Sequence, residues 1–366
     1  MTGHGGNIYQ ASEKTGIQEK RIIDFSASIN PLGVPASSVA AMKRHISMLP
    51  HYPEPFAERL GLHIGKHYRI NPEAVICGNG STELIYLIPR AVKPKKVLVT
   101  APAFSEYEKA CRISNKLRIM RYELKPGNNF DINPDEFISA MKGNLNSSRI
   151  THHSSLPFDM AFLCNPNNPT GRLLRKRDVI KIADAARELK CCLVVDEAFI
   201  DFCAGESVIK EVRHNPYLIV LRSLTKFYAL SGLRIGFGIF PQRLAELMKK
   251  YKEPWTVNSL AQEAGKAALS DTAYQQASLS MIKTEKTFLE DHFKRLSVDY
   301  VPSSTNYYLI RTGDAKDIIS SLRKKGILVR DCSNFSGLDD TYIRVAVRSR
   351  KENEILIKEL SALCPA

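Results

Sequence analysis

The sequence predicts an α/β protein in which helices sandwich a mostly parallel sheet, with a second, smaller α/β domain. From about residue 73 to 240, short apolar runs alternate with amphipathic stretches of helical length, as in strand–helix–strand units. Polar residues follow these runs, and ligands of parallel sheets bind beyond the carboxyl ends of the strands. The 366 residues are enough for two domains without disulfides or metals to stabilise them.

The composition is that of an ordinary globular protein, with 44% apolar and 25% charged residues. No apolar run approaches the length of a membrane span, and the opening MTGHGGNIYQ lacks the apolar core of a signal peptide. We therefore expect a cytoplasmic protein that does not bind membranes. The eight cysteines are scattered without any CxxC pair, so we expect mostly buried thiols, with neither a zinc site nor a disulfide framework.

The net charge of +14 raises the question of nucleic-acid binding, because a clustered basic face attracts phosphates. The basic residues are dispersed, however, as in Lys93, Lys95, Arg172 and Arg175, and no nucleic-acid-binding motif accompanies them. We therefore expect no nucleic-acid partner. Anionic small substrates fit the same charge equally well.

The first predicted strand, 74–77, runs into GNGSTE and then into a helical pattern. Gly78 and Gly80 allow a tight turn, and Ser81 and Thr82 open the helix. Amide and hydroxyl donors at a helix N-terminus can bind an anion. A plain helix cap has the same composition, so both interpretations of this turn stay open.

Two further runs end in residues suited to a flat, polar ligand. The run 97–100 leads into APAFSEY, in which Phe104 can lie against a planar ring or serve as a core residue. The run 160–164 leads into NPNNPTG, where prolines fix an irregular turn and leave the amides of Asn167 and Asn168 free to face a cleft.

The last two runs supply an acid and an amine. The run 191–195 ends at Asp196, whose burial is costly unless the carboxylate meets a cation, such as a protonated pyridine nitrogen, or several donors. The run 217–221 leads into SLTKFYALSGLR, in which Ser223 and Arg234 can bind a phosphate close to the amine of Lys226. This combination suggests a lysine joined as a Schiff base to pyridoxal phosphate. Taken alone, an SxxK lysine is more often a residue of a solvated loop.

We expect three regions along the chain. Residues 1–35 form an N-terminal arm that belongs to the smaller domain, 36–244 the large cofactor-binding domain, and 245–366 the rest of the smaller domain. In the last region, we expect strands at 300–310, 327–330 and 342–348 and helices at 315–325 and 352–363. The polar stretch 144–155, with the adjacent His152 and His153, is predicted to be a surface loop without a metal site.

Taken in order, these motifs resemble the aspartate-aminotransferase superfamily, the pyridoxal-phosphate enzymes of fold type I. The resemblance extends from FSASINPLG through DEAFIDF and SLTKFYALSGLRIGF to the last helix. It implies that Lys226 binds the cofactor covalently, that Asp196 holds the pyridine nitrogen protonated and that Phe104 stacks on the ring. It further implies that Asn168 hydrogen-bonds the 3′-hydroxyl. The residues implied for the cofactor phosphate are Gly80, Ser81, Thr82, Ser223 and Arg234.

The resemblance also implies a homodimer with shared active sites, in which Tyr52 of HYPEP reaches the cofactor phosphate of the neighbouring subunit. One residue departs from the family pattern, because Phe199 of DEAF stands where many relatives have tyrosine. Without that phenol, the ring hydroxyl would be bonded chiefly by Asn168.

Two branches of the superfamily share these motifs. Histidinol-phosphate aminotransferases share NPNNPTG, the SLTK-type lysine motif and the C-terminal arginines. The threonine-phosphate decarboxylases of cobalamin biosynthesis are more similar, through an N-terminal HGGN, DFSASINPLG, PWTVNSLA and DCSNFSGLDDTYIRVAVRS. His4, Gly5, Gly6 and Asn7 of HGGN can wrap around an anion, since glycine permits close backbone approach. A disordered terminus is the alternative.

A substrate that carries both a carboxylate and a phosphate needs two anion sites, and Arg330 and Arg344 are suited to supply them. We expect L-threonine O-phosphate, with its phosphate on His4, Arg330 and Asn30 and its carboxylate on Arg344 and Asn168; the reverse assignment of the arginines stays open. Loss of carbon dioxide would give (R)-1-amino-2-propanol O-phosphate. The alternatives are serine phosphate as substrate, amino transfer from histidinol phosphate, and a cofactor-binding homologue without turnover.

Overall fold

A computed structural model describes residues 4–114, 117–143 and 157–363 of the chain. Its α-helices are α1 (Ile8–Thr15), α2 (Ala36–His45), α3 (Glu58–Tyr68), α4 (Ser81–Val92), α5 (Glu106–Ser114), α6 (Pro134–Met141), α7 (Lys176–Glu188), α8 (Gln242–Tyr251), α9 (Ser259–Ser270), α10 (Thr272–Arg295), α11 (Ala315–Lys324) and α12 (Arg350–Leu363).

The strands alternate with these helices through the first two thirds of the chain and continue among the last three helices. They are β1 (Ile23–Asp24), β2 (Val75–Asn79), β3 (Lys96–Ala101), β4 (Arg118–Glu123), β5 (Met160–Cys164), β6 (Cys192–Asp196), β7 (Leu218–Ser223), β8 (Ile235–Ile239), β9 (Asp299–Tyr300), β10 (Tyr307–Arg311), β11 (Ile327–Leu328), β12 (Arg330–Asp331) and β13 (Tyr342–Ala346).

Within the described residues, seven strands form a central sheet in the spatial order β2-β8-β7-β6-β5-β3-β4. The pairs from β7 to β4 are parallel, whereas β8 runs antiparallel to both of its neighbours. The predicted mostly parallel sheet is confirmed. The apolar runs do not predict β4, RIMRYE, in which charged and apolar residues alternate, or β8, IGFGI, which contains two glycines.

Helices cover both faces of this sheet, and each face has its own apolar core. One core includes Leu60 of α3, Phe137 of α6 and Ile182 of α7. The other includes Leu84 of α4 and Met248 of α8. Because both faces are covered, β5 and β6 are buried along their whole length, which explains their uninterrupted apolar sequence.

The C-terminal part of the chain forms a smaller antiparallel sheet of order β12-β13-β10-β9, and β11 pairs in parallel with β1 from the N-terminal part. The predicted strand 327–330 is therefore two strands, because β11 pairs with β1 and β12 with β13. The predicted strand 300–310 is also interrupted: Pro302 lacks a backbone N–H, and polar residues separate β9 from β10. The helices predicted at 315–325 and 352–363 are α11 and α12.

Three further predictions concern the cysteines, membrane-spanning helices and the segment 144–155. Of the described cysteines, Cys203 is half-buried and the others are buried free thiols. No helix within residues 4–114, 117–143 and 157–363 is long and apolar enough to cross a membrane. The predicted loop at 144–155, with His152 and His153, lies outside the described residues.

Candidate active site

A cavity of about 440 Å³ opens at the carboxyl ends of β3, β5, β6 and β7 and is also lined by residues of the smaller sheet. Parallel strands present their carboxyl ends at one edge of a sheet, so the loops that follow them meet there. The cavity brings together most of the predicted site residues, namely His4, Gly5, Ser81, Thr82, Phe104, Asn168, Asp196, Ser223, Lys226, Arg234, Arg330 and Arg344.

Lys226 lies three residues beyond the end of β7 and reaches the cavity. Desolvation of its amine and, to a smaller extent, the positive charges of Arg344 and Arg234 together lower the pKa of Lys226 to about 8. An amine with such a pKa is deprotonated often enough near neutral pH to act as a nucleophile. The structure thus distinguishes Lys226 from a lysine on a solvated loop.

Asp196 ends β6 and is only 3% exposed. Its Oδ2 accepts a hydrogen bond of 2.7 Å from the Tyr107 hydroxyl, and its Oδ1 accepts one of 3.0 Å from the Ala198 amide. Burial raises the pKa of Asp196, and none of the described basic side chains forms an ion pair with it. A buried carboxylate in this state fits a cationic ring nitrogen as its missing partner.

The turn between β2 and α4 forms a cradle for an anion. Gly80 has a φ of +73°, and α4 begins at Ser81, so backbone amides of the first helical turn are directed at the cavity edge. A Cβ on Gly80 would lie 2.7 Å from Nη2 of Arg234, which shows how closely the guanidinium approaches the turn. The hydroxyls of Ser223 and Thr225 lie 2.7 Å apart at the same cavity.

Aromatic rings form one wall of the cavity. The Phe104 ring centroid lies 5.7 Å from that of Tyr107, edge-on, and 5.7 Å from that of His4. Phe199, which also lines the cavity, packs edge-on against Tyr307 with 5.0 Å between centroids. Phe199 therefore contributes only hydrocarbon where a tyrosine would contribute a hydroxyl.

Two guanidinium groups converge on the cavity from the smaller sheet. Arg330 of β12 and Arg344 of β13 are directly paired in register. Arg344 donates to Oδ1 of Asn168 and, at 3.0 Å, to the carbonyl oxygen of Ser26, while Arg330 donates to Asn334 at 2.7 Å. Burial, followed by the charge of Arg344, lowers the pKa of Arg330.

Neither arginine forms an ion pair with a carboxylate of the described residues, although both side chains are buried. Two buried like charges side by side are unfavourable unless anions neutralise them. This pair is therefore suited to a ligand that carries negative charge.

The N-terminal segment is seated on the cavity edge. Nε2 of His4 lies 2.9 Å from Oε1 of Glu106. The amide of Gly6 donates to the Ser26 hydroxyl at 2.8 Å, and a Cβ on Gly5 would lie 2.3 Å from the Ser26 carbonyl oxygen. Only glycine permits this close approach.

Five predicted residues do not line the cavity of their own chain, and one of them, Gly80, forms the turn at its edge. Both Asn30 N–H groups are used, at 2.8 Å by the Phe227 carbonyl and at 2.7 Å by the Ser278 hydroxyl, so this amide supports the chain around Lys226 and not a bound anion. The Gly6 amide donates to the Ser26 hydroxyl, and Asn7 caps α1 by accepting from the Gln10 amide at 3.0 Å. Tyr52 is 84% exposed and packs against Trp255.

The structure adds residues that the motifs did not single out. Ser28 is 1% exposed, lines the cavity and has no hydrogen-bond partner for its hydroxyl. Glu106 and Tyr107 follow Phe104 in APAFSEY, and Thr225 precedes Lys226. Tyr107 and Thr225 lie within motifs quoted above, but their roles depend on tertiary partners, which a motif does not reveal.

The fold and the cavity together define a class of protein. Pyridoxal phosphate requires a partner for its ring nitrogen, an amine for its carbonyl carbon and donors for its phosphate. The buried Asp196, the Lys226 amine with its lowered pKa and the anion cradle at Gly80 fit these three parts in turn. The molecule is a pyridoxal-phosphate enzyme of fold type I. The chain belongs to the family described as aminotransferase class I and II, which matches residues 20–360.

Comparison with individual proteins narrows the class. The chain is 36% identical over 365 residues to threonine-phosphate decarboxylase of Salmonella typhimurium, covering 98% of this chain and 96% of the relative. It is 35% identical to an adenosylcobalamin biosynthesis bifunctional protein of Leptospira interrogans, covering 98% of this chain but 40% of that longer protein. The solved histidinol-phosphate aminotransferase of Clostridium acetobutylicum superimposes with a TM-score of 0.84 at 29% identity, over 93% of this chain and 99% of that one.

Proposed function

We propose that this protein uses pyridoxal phosphate to decarboxylate L-threonine O-phosphate to (R)-1-amino-2-propanol O-phosphate, for the side chain of cobalamin. The observation that carries the proposal is the pair of buried guanidinium groups of Arg330 and Arg344, which have no carboxylate partner among the described residues and line the same cavity as Lys226. A substrate with two anionic groups neutralises both. Relatives with the matching names, at 36% and 35% identity, support the same substrate and pathway.

The proposal assigns residues of the cavity and of its edge to each part of the cofactor. Lys226 would bind it covalently, and Asp196 would pair with its ring nitrogen, held in place by Tyr107. Phe104 would cover one face of the ring, and Asn168 would bond its hydroxyl. When bound, the cofactor supplies an electron sink for the bond that breaks at Cα. Its phosphate would be bound at the cradle of Gly80, Ser81, Thr82, Ser223 and Arg234, to which the structure adds Thr225.

The substrate anions would be divided between two groups of residues. Arg344 and Asn168 already share a hydrogen bond, so both are positioned for the carboxylate. The phosphate would be bound by Arg330, His4 and Ser28. We include Ser28 because its hydroxyl has no hydrogen-bond partner, whereas the Asn30 amide that the sequence suggested already donates to Phe227.

Proton transfer would fall to Lys226. After carbon dioxide has left, Cα needs one proton, and an amine with a pKa of about 8 is partly protonated and can deliver it near neutral pH. Lys226 follows the end of β7 and reaches the cavity, so its amine would be available to a substrate bound there.

We further propose a homodimer in which Tyr52 completes the partner's phosphate cradle. Tyr52 is 84% exposed and does not reach its own cavity. It is surrounded along the sequence by other exposed apolar side chains, which a second subunit would cover: Ile46, Met48, Leu49 and Phe56.

The proposal extends to compartment and domain organisation. Buried cysteines that remain free thiols, including the adjacent Cys191 and Cys192, fit a reducing cytoplasm. A division into residues 1–35, 36–244 and 245–366 is supported by the pairing of Ile23 with Ile327, which joins the arm to the C-terminal part.

The direct test supplies threonine phosphate to the purified protein loaded with pyridoxal phosphate. We expect carbon dioxide and the amino-alcohol phosphate in equal amounts. Serine phosphate, tested at matched concentration, should react less well, because one methyl group contributes about 1–3 kcal/mol of discrimination.

The likeness to a histidinol-phosphate aminotransferase supplies the competing function. Amino transfer from histidinol phosphate to 2-oxoglutarate without carbon dioxide would favour that function, and turnover of none of these would favour a cofactor-binding homologue.

A further inference from the structure

Two of the residues that line the cavity are carboxylic acids, and the proposed function uses only Asp196. The second, Glu106, lies in the first turn of α5 and is 7% exposed. A carboxylate in a cavity that admits an anionic substrate repels that substrate unless its charge is compensated. Glu106 therefore needs a role of its own.

The contacts of Glu106 show how its charge is compensated. Oε1 lies 2.9 Å from Nε2 of His4, Oε2 accepts from the Tyr86 hydroxyl, and Nζ of Lys109 lies 3.6 Å from Oε2. Burial by itself raises the pKa of Glu106, but the hydrogen bonds from Tyr86 and His4 and the charge of Lys109 outweigh it, so the pKa lies below its usual value. Glu106 is thus a carboxylate at neutral pH, with both oxygens occupied.

The contact fixes how His4 meets the cavity. Nε2 faces Glu106, and none of the described residues bonds the other ring nitrogen, Nδ1. His4 also lines the cavity, so Nδ1 is the ring nitrogen left for an anion bound there.

The backbone next to His4 is fixed at a second point. Gly6 donates to the Ser26 hydroxyl, which itself donates to Asp24 at 2.6 Å. The carbonyl oxygen of Ser26 accepts from Arg344. His4 is therefore held between α5 and the segment that also orients Arg344, so a substrate that engages Arg344 meets a histidine already in position.

We propose that Glu106 is a positioning residue that, with Tyr86, orients the His4 ring towards the phosphate of the substrate and so makes the enzyme selective for phosphorylated amino acids. This inference rests on the proposed function and deepens it. Glu106 acts through His4 and does not itself touch the substrate.

The kinetic test compares Glu106→Gln with Glu108→Gln. Glu108 lies on the same helix but pairs with Arg121 and Arg112. We expect Glu106→Gln to raise KM for threonine phosphate about tenfold, the effect of losing one charge-assisted hydrogen bond, with kcat within about twofold of wild type. Glu108→Gln should leave both constants unchanged. Equal KM values for the two variants, or a fall in kcat at unchanged KM, would overturn the proposal.

A double-variant comparison tests whether Glu106 acts through His4. In a His4→Gln background, Glu106→Gln should raise KM no further, because the donor that it positions is already gone. Additive effects would mean that Glu106 acts on the substrate by another route and would contradict the proposal.

The Tyr86→Phe variant, which keeps the carboxylate but removes one of its donors, should raise KM by a smaller factor than Glu106→Gln.

A measurement without turnover separates this inference from the proposed function. The protein loaded with cofactor and labelled with ¹⁵N-histidine is titrated with inorganic phosphate, and the His4 signals are assigned by their loss in His4→Gln. We expect phosphate to shift the Nδ1 signal in wild type and not in Glu106→Gln. Carbon dioxide release without a phosphate-induced shift would contradict this inference but not the proposed decarboxylation. A phosphate-induced shift without carbon dioxide release would contradict the proposed decarboxylation but support the anion site formed by His4 and Glu106.

Discussion

Asp196 and Lys226 follow neighbouring strands, and burial acts on them in opposite directions. It raises the pKa of Asp196 and lowers that of Lys226, because low polarity disfavours the charged form of each group. A ring nitrogen that carries a proton restores a cationic partner to Asp196, and a carbonyl carbon consumes the neutral amine of Lys226. The environment that is unfavourable to each side chain alone therefore favours the ligand that joins them.

The lowered pKa of Lys226 predicts how cofactor capture depends on pH. The neutral amine is the reactive form, and below a pKa of about 8 its fraction rises about tenfold per pH unit and then levels off. The rate at which the apoprotein takes up pyridoxal phosphate, followed by absorbance, should follow the same curve. A rate that keeps rising to pH 10 would assign the amine an ordinary pKa.

At the scale of single residues, the sequence predicts those residues whose chemistry is evident from a motif. Asp196 and Lys226 could be identified because each lies in a polar motif that follows an apolar run. Asn30 was assigned to the phosphate because it lies in a quoted motif, yet the structure commits its amide to Phe227 and Ser278. Ser28 and Glu106 were missed because their significance depends on burial and on partners far away in the chain.

The antiparallel strand β8 determines how closely the cofactor turn can approach the sheet. Gly236 of β8 lies in register with Gly78 of β2 and Ser223 of β7. A Cβ there would lie 2.4 Å from the Ser81 amide nitrogen and 2.9 Å from the Arg222 carbonyl oxygen. Strand β8 thus needs glycine to let the N-terminus of α4 and the end of β7 meet.

Gly236→Ala should therefore displace the cradle. We expect the apoprotein to lose about 1–3 kcal/mol in its free energy of unfolding, as in overpacked cores, and the affinity for pyridoxal phosphate to fall with it. Urea denaturation and cofactor titration measure the two effects. Gly232→Ala is the matched control, since no atom lies within 4 Å of a Cβ there. Identical behaviour of the two variants would contradict the close-approach argument.

The elements differ in how well the sequence predicts them. Runs such as 160–164 coincide with β5 because a strand covered on both faces must be apolar throughout. Strand β8 lacks that signature, because two of its five residues are glycines: Gly236 makes room for Ser81, and Gly238 makes room for Phe240 and Leu221. Strands β11 and β12 were predicted as one, because the sequence does not show that the chain changes pairing partner at Val329.

At the scale of the whole molecule, the proposed homodimer concerns a residue that does not reach the cavity of its own chain. The exposed Tyr52 stacks on Trp255, which is itself 49% exposed, and neither side chain lines the cavity of its own chain. A homodimer in which Tyr52 crosses to the partner accounts for both observations.

Subunit complementation tests this arrangement. Lys226→Ala and Tyr52→Ala should each have little activity, but co-expression should restore about a quarter of the wild-type value, because half of randomly formed dimers would carry one intact site. In that site, Lys226 comes from one chain and Tyr52 from the other. No gain over the mean of the two variants would show that Tyr52 does not act across an interface.

The most direct measurement of the central claim follows the hydrogen at Cα of threonine phosphate. If the cavity holds the substrate so that carbon dioxide leaves and Lys226 returns a proton, the reaction in D₂O should yield amino-alcohol phosphate that retains the original Cα hydrogen and gains one deuterium on the same carbon. Mass spectrometry and NMR of the product read this directly. Exchange of the Cα hydrogen with the carboxylate still in place would contradict the account, because it would mean that the arginines orient the substrate for amino transfer.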